Sequence, residues 1–332
     1  MSNFSVAQHL NPKLFSDDIE QVPNRHGYGE GLLEAGKKNS RVVALSADLT
    51  GSTRTSVFAD AFPERFVQVG IGEQSMASVA SGMAAMGKIP FIASYAMFSP
   101  GRSWEQVRTT ICYNDSNVKV IGAHAGVSVG PDGATHQAIE DIAIMRVIPR
   151  MVVIAPADVH EAKRAVLKAA EYKGPVYIRL ARENVPVVTT AGSPFEIGRA
   201  EVYLERDPEH KKTVGIIASG TVLHNALLAG KRLNEAGIGA SVMNLATIKP
   251  LDTGNILAFA EAHDALITVE EHQVAGGMGS AVAEFLAEER PTRVVRLGVH
   301  DQFGQSGEPE ELVAHYGMDA GTIVATAKKL VE

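Results

Sequence analysis

Glu73 follows two glycines in the run Gln68-Val69-Gly70-Ile71-Gly72-Glu73-Gln74 and opens a stretch, 75–86, that is nearly all small or apolar. A lone carboxylate in that setting sits at the edge of a packed interior, where partial desolvation makes it a group with a proton to exchange. Spacing alone also allows a simpler role, a charge that caps the first turn of a helix. A second run bears on the choice: Ala123-His124-Ala125-Gly126-Val127-Ser128-Val129-Gly130-Pro131-Asp132-Gly133-Ala134-Thr135-His136-Gln137. It follows the apolar residues 118–121 and is too polar to be core. One histidine in a loop is most simply a hydrogen-bonded structural residue. Two, with an aspartate and glycines that let backbone approach closely, favour a site, because imidazole both donates and accepts protons near neutral pH.

These residues need elements to hold them, and the chain alternates short apolar runs with helical ones. Strands are expected at 42–46, 65–69, 89–93, 118–123, 151–155 and 175–178, and helices at 73–86 and 104–112. A capping-box signature, Asp158 with Glu161, marks another helix start. The fold class is therefore α/β: doubly wound, with mainly parallel sheets. Alternation fades over 183–212, where prolines and mixed charge collect, and restarts with strands at 214–218, 240–243, 265–269 and 294–297 and helices at 222–236 and 281–288. The expected division is a first domain at 1–185, a linker at 186–212 and a second, smaller α/β domain at 213–332. In such folds ligands bind beyond the carboxyl ends of the strands. Gly276, Gly277 and Gly279 fit no phosphate-loop spacing and read as a tight strand-to-helix turn.

Taken together, the motifs resemble the thiamine-diphosphate enzymes of the transketolase family. "GIGEQ" is similar to the family's catalytic-glutamate motif and "GPDGATHQ" to its substrate loop. "DLTGS" at 48–52, "YAMF" at 95–98 and "NLATIKPLD" at 244–252 fall in the expected order. The similarity runs from about Arg25 onward and covers only the C-terminal half of a full-length transketolase. It implies the thiamine-diphosphate-binding fold with a transketolase C-terminal-like domain. It also implies a cofactor, thiamine diphosphate, whose thiazolium carbon is activated by its own aminopyrimidine, with a glutamate sharing a proton with the pyrimidine ring. Glu73 matches that glutamate. Tyr95 and Phe98 match the aromatic pair, with Phe98 the nearer match to the cofactor contact, and Asp48 is a further cofactor-binding candidate. His124 and His136 suit proton movements on hydroxyl groups, and Asp132 can accept from a sugar hydroxyl. Arg25, Ser52 and Arg182 match phosphate-binding positions, although Arg179 lies close enough to Arg182 to compete for that role. Without the resemblance, either arginine reads as a surface residue and Phe98 as a core aromatic.

Two departures from the family pattern stand out. The chain has no Gly-Asp-Gly motif followed by an asparagine, the family's anchor for metal and diphosphate. No metal ligands are therefore expected here. Mg2+ (or Ca2+) is expected to be held mainly by a partner, the N-terminal transketolase subunit with the diphosphate-binding domain, in a heterotetramer acting on sugar phosphates. The entry helix reads Arg25-His26-Gly27 where Arg-Lys-Ala is usual. Rivals are the β subunit of a 2-oxo acid dehydrogenase, whose loop does not resemble "GPDGATHQ", and deoxyxylulose-5-phosphate synthase, which is usually one continuous chain. A non-catalytic regulatory subunit would be expected to have lost the glutamate or the histidine loop, and both are present.

Composition narrows the remaining classes. A formal net charge of −7 without a basic tract argues against nucleic acid. No apolar run approaches the ~20 residues that span a bilayer, so no membrane is expected. Residues 1–21 lack the apolar core of a signal peptide, and the cytoplasm is the expected location. Cys112, the only cysteine, cannot form an internal disulfide and reads as core.

Overall fold

The computed structural model describes residues 3–332. Apolar runs form a seven-stranded sheet in the order Thr247–Lys249, Val152–Ile154, Val176–Arg179, Lys119–Ala123, Ile89–Tyr95, Val42–Ser46 and Phe66–Gln68. All neighbours are parallel except the first pair, where Thr247–Lys249 runs antiparallel to Val152–Ile154. Strands such as Val42–Ser46 and Lys119–Ala123 are buried at every position, as a sheet covered on both faces requires. Helices Asn24–Lys38 and Val159–Glu171 pack together on one face. Gly27 explains the local sequence departure: a Cβ there would lie 1.9 Å from the Val159 carbonyl oxygen, so only glycine permits that approach. Helix Glu73–Ala85 packs beside Ile89–Tyr95 on the other face.

A second sheet has six strands in the order Ser5–Val6, Glu201–Glu205, Gly239–Asn244, Thr213–Ala218, Ala265–Gln273 and Val294–Val299. Its last four strands are mutually parallel. The first two join antiparallel. Two segments thus depart from a reading in sequence blocks. Ser5–Val6, near the amino terminus, serves the second sheet, and Glu201–Glu205 is a strand inside the expected linker. Thr247–Lys249 crosses the other way and edges the first sheet. Met151, Val153, Met243, Ile248, Ile256 and Leu266 belong to one continuous apolar core across both units.

The glycine-rich segment at 276–279 is a turn into helix Met278–Glu289. Glu270 accepts from the backbone N–H of Met278 at 2.6 Å and of Gly279 at 2.8 Å, so that helix start is already satisfied by a carboxylate. Expected helix 104–112 is also helical, with wider π-type turns over Val107–Cys112, and Cys112 is buried. Among the described residues no helix is long and apolar enough to cross a membrane.

Candidate active site

Five adjacent strands of the first sheet end at the same edge, and each leads into a segment with candidate site residues. Phe66–Gln68 leads to Glu73, Val42–Ser46 to Asp48 and Ser52, Ile89–Tyr95 to Phe98, Lys119–Ala123 to His124, and Val176–Arg179 to Arg182. Strand order reverses around Val42–Ser46, which has Phe66–Gln68 on one side and Ile89–Tyr95 on the other. Such a reversal opens a crevice at the carboxyl edge.

Glu73 is the first residue of its helix and only 2% exposed. Ser94 Oγ donates to its Oε1 at a long 3.5 Å, and Arg102 Nη1 stands 3.8 Å from its Oε2. Oε2 is buried without a hydrogen-bond partner among the described residues. A buried carboxylate oxygen left bare is costly, and a donor supplied from outside the chain would relieve that cost. Gly72 is the N-cap and no side chain caps the first turn, while Glu73 itself lies in that turn, where the helix dipole favours a carboxylate.

Contacts then run along the crevice. The Arg102 guanidinium lies 5.8 Å from the Phe98 ring centroid. Phe98 meets His136 edge-on, with centroids 5.8 Å apart, and is stacked near Tyr95 at 6.2 Å. Tyr95 stacks on His124 at 3.9 Å with planes 25° apart. Arg25 Nη1 donates to His124 Nε2 at 3.0 Å and to the Ser52 carbonyl at 3.3 Å. Glu73, Phe98, Tyr95, His136, His124, Arg25 and Ser52 are therefore one connected group.

His124 has a φ of 54°, unusual for a side chain of its size, and is 2% exposed. Burial, then the positive charges of Arg25 and Arg182, push its pKa down to about 3. It is a neutral ring at physiological pH. Since Arg25 can only donate, His124 Nε2 accepts and Nδ1 carries the proton. That Nδ1–H is buried with no partner among the described residues. His136 is less buried, and its Nδ1 lies 2.9 Å from Thr135 Oγ1.

Arg182 donates from Nη1 to the Val129 carbonyl at 2.7 Å and pairs with Asp132 at 3.3 Å and Glu183 at 3.2 Å. Asp132 thus meets a cation within the chain. Arg179 is removed from competition: it is buried and donates to Asp141 at 2.9 Å and to the carbonyl of Glu271 at 2.7 Å. Arg25 is depressed from the ordinary guanidinium range, first by burial, with Arg182 and Arg54 adding repulsion and Glu183 opposing it. Cations this close together favour an anionic ligand. Asp48 stands apart from the connected group. It is exposed with a φ of 62°, and its backbone N–H is bound by Gln68 Oε1 at 2.8 Å. Sequence reading missed Ser94, Arg54 and Arg102. Arg54 and Arg102 lie in the same strand-end segments as Ser52 and Phe98, whereas Ser94 meets Glu73 only because Ile89–Tyr95 packs beside helix Glu73–Ala85. Among the described residues no cluster of three or more His, Cys, Asp or Glu has metal-ligand proximity.

Comparison with known proteins gives the family. Residues 20–188 match the family model for the transketolase pyrimidine-binding domain, and residues 203–323 that for the transketolase C-terminal domain. A Methanocaldococcus jannaschii protein, provisionally described as a transketolase C-terminal section, is 45% identical over 93% of this chain and 95% of its own length. A 6-deoxy-6-sulfo-D-fructose transketolase subunit from Clostridium sp. (strain MSTE9) is 38% identical, over 96% of this chain and 97% of its own. Among solved structures, a split gene transketolase described as an inactive beta4 tetramer superimposes with a TM-score of 0.84 at 45% identity, covering 94% of this chain and 99% of that one. The transketolase of Campylobacter jejuni shares the fold, with a TM-score of 0.80 at 21% identity, and this chain spans 50% of its length. The chain belongs to the transketolase family and is a split subunit that carries the pyrimidine-binding and C-terminal domains.

Proposed function

We propose that this chain is one half of a working transketolase. Together with a separate subunit bearing the diphosphate-binding domain, it transfers a two-carbon ketol unit between sugar phosphates. The observation that carries the reading is the buried, unpartnered Oε2 of Glu73 at the head of a connected line of aromatic, imidazole and guanidinium groups. This fits thiamine diphosphate, which when bound supplies the carbon nucleophile that carries the two-carbon unit. Glu73 would share a proton with the bound cofactor's pyrimidine ring, and Phe98 and Tyr95 are the aromatic residues that would hold it. Asp48, exposed beyond the carboxyl end of Val42–Ser46, is a further cofactor contact. Mg2+ (or Ca2+) and the diphosphate are held mainly by the partner, since no Gly-Asp-Gly anchor occurs here.

On the substrate side, His124 acts as a fixed donor. Its Nδ1–H is available because Arg25 occupies Nε2, and it can hold a carbonyl or hydroxyl oxygen without itself changing charge. His136 is the group suited to taking and returning hydroxyl protons. Arg25, Ser52 and Arg182 bind the charged end of the sugar, and Asp132 accepts from a hydroxyl once Arg182 turns toward ligand. Relatives act on 6-deoxy-6-sulfo-D-fructose and on apulose 4-phosphate by their descriptions, so the sugar pair is set by details of this cluster. The assembly is a heterotetramer, two copies of each subunit. The test is reconstitution: this chain, the diphosphate-binding subunit, magnesium and thiamine diphosphate are mixed and assayed with a ketose phosphate donor and an aldose phosphate acceptor. Absence of ketol transfer in a mixture that demonstrably assembles would overturn the proposal.

A further inference from the structure

Glu271 lies on the strand Ala265–Gln273 of the second sheet, yet its buried carboxylate ends inside the loop that carries His124, Asp132 and His136. Its Oε1 accepts from the backbone N–H of Ser128, and its Oε2 accepts from Thr221 Oγ1 at 2.9 Å. The loop is shaped around it. Gly126 has a φ of 93°, and a Cβ there would lie 2.3 Å from Glu271 Oε1, so the glycine is needed both for its conformation and for the approach.

The far end of the loop is tied to the same unit. Arg179 donates to the carbonyls of Glu271 and Ala138, bridging the strand and the loop's exit. Gln137 Nε2 donates to Val127 and Gly130 within the loop and to the Gln305 carbonyl at 2.8 Å in the second unit. One residue beyond Ser128, the Val129 carbonyl is the acceptor that holds Arg182 Nη1 at 2.7 Å. That carbonyl belongs to the Val129–Gly130 peptide, so the backbone torsions of Ser128 and Val129 alone separate the anchored Ser128 N–H from the acceptor that holds the guanidinium.

We infer that Glu271 is a positioning residue, through which the C-terminal domain fixes the 126–129 backbone and hence Arg182 at the substrate's charged end. A carboxylate on a backbone N–H is among the stronger hydrogen bonds, and burial keeps water from replacing it. Glu271 touches no ligand in this scheme and acts only through Ser128 and Val129. Its kinetic consequence rests on the proposed ketol transfer, whereas its effect on the loop does not.

The test uses the full chain, alone and reconstituted with the diphosphate-binding subunit. Glu271→Leu keeps the volume and removes both acceptors. Amide hydrogen exchange across 124–137 should then quicken about tenfold, and the KM for a phosphorylated acceptor should rise about tenfold with kcat within about threefold. Glu271→Gln should stay close to wild type, because its amide oxygen can still take the Ser128 N–H while its NH2 turns to the Thr221 hydroxyl. Unchanged loop exchange in Glu271→Leu would overturn the inference, as would a fall in kcat with KM unmoved. If Glu271→Leu does not fold, Thr221→Val serves instead: it frees only Oε2, loop exchange should quicken about threefold, and no change would overturn the inference. A complex that transfers no ketol unit but still shows the exchange response would sink the functional reading and leave the positioning role standing.

Discussion

Arg25 Nη1 donates to His124 Nε2 across 3.0 Å, and this contact between a helix and a strand-end loop fixes which nitrogen of the imidazole carries its proton. A guanidinium has nothing to accept with, so Nδ1 must be the protonated nitrogen. The same pairing, added to burial, keeps the ring neutral.

His124 should therefore remain uncharged through the working pH range, and only below about pH 4 should its ring resonances move in an NMR titration. The sign for stability follows. Its folded pKa of about 3 lies below the ordinary 6.5, so between those values the unfolded chain binds a proton that the folded chain refuses. Stability contributed at this site is complete above about pH 6.5 and falls as pH drops toward about 3. A His124 that titrates near pH 6.5 in the folded protein would contradict the buried, Arg25-bound geometry.

Glu73→Gln should fold normally, since the amide fills the same volume. Proton exchange at the thiazolium carbon of the bound cofactor should slow by about a hundredfold or more, on the usual scale for losing a positioned acid–base group. This is measured in the reconstituted complex by deuterium wash-out. Fast exchange in the variant would reduce Glu73 to a helix-terminal charge.

Much of this site is legible in the sequence because it lies in short, conformationally special runs. Glu73 is marked by the glycines before it and the small residues after it. His124, Asp132 and His136 are marked by density: few core or surface loops collect that set. What was illegible depends on strands that are distant in sequence. Ser94 is buried in a strand whose pattern says nothing of a partner in helix Glu73–Ala85, and Arg102 meets Glu73 by way of a neighbouring loop. Glu271 sits in a strand that reads as apolar up to Val269, and nothing local marks its carboxylate as serving another sheet. The strand Glu201–Glu205 was hidden in the same way: two charged ends and three apolar residues look like linker until Gly239–Asn244 and Ser5–Val6 pair with it on either side.

His136→Ala and Arg182→Ala should separate proton movement from binding. Loss of His136 should lower kcat, by about a hundredfold if it moves protons in the rate-limiting step. Loss of Arg182 should raise the KM for phosphorylated sugars about ten- to a hundredfold, the range for a charged hydrogen bond, with kcat less affected. Steady-state kinetics with phosphorylated and unphosphorylated acceptors reads the difference. Equal damage to both acceptors by Arg182→Ala would exclude a phosphate contact.

The chain should associate with itself even without its partner. Helix Glu73–Ala85 presents Ser75, Ser78, Val79, Gly82 and Ala85 on its exposed side, with Met86 84% exposed just beyond its end. Small side chains let a second backbone approach closely, and closed two-fold pairing would cover this face. Light scattering on the purified chain should report a dimer or larger, and Val79→Glu should weaken it. A monomer at micromolar concentration would rule out the self-pairing.

The most direct measurement is a ketol-transfer assay on three samples prepared alike with thiamine diphosphate and magnesium: this chain alone, the diphosphate-binding subunit alone, and the two mixed. A split enzyme whose catalytic glutamate and substrate loop lie here, and whose diphosphate anchor lies on the partner, predicts transfer between sugar phosphates in the mixture only. Robust turnover by this chain alone would contradict it.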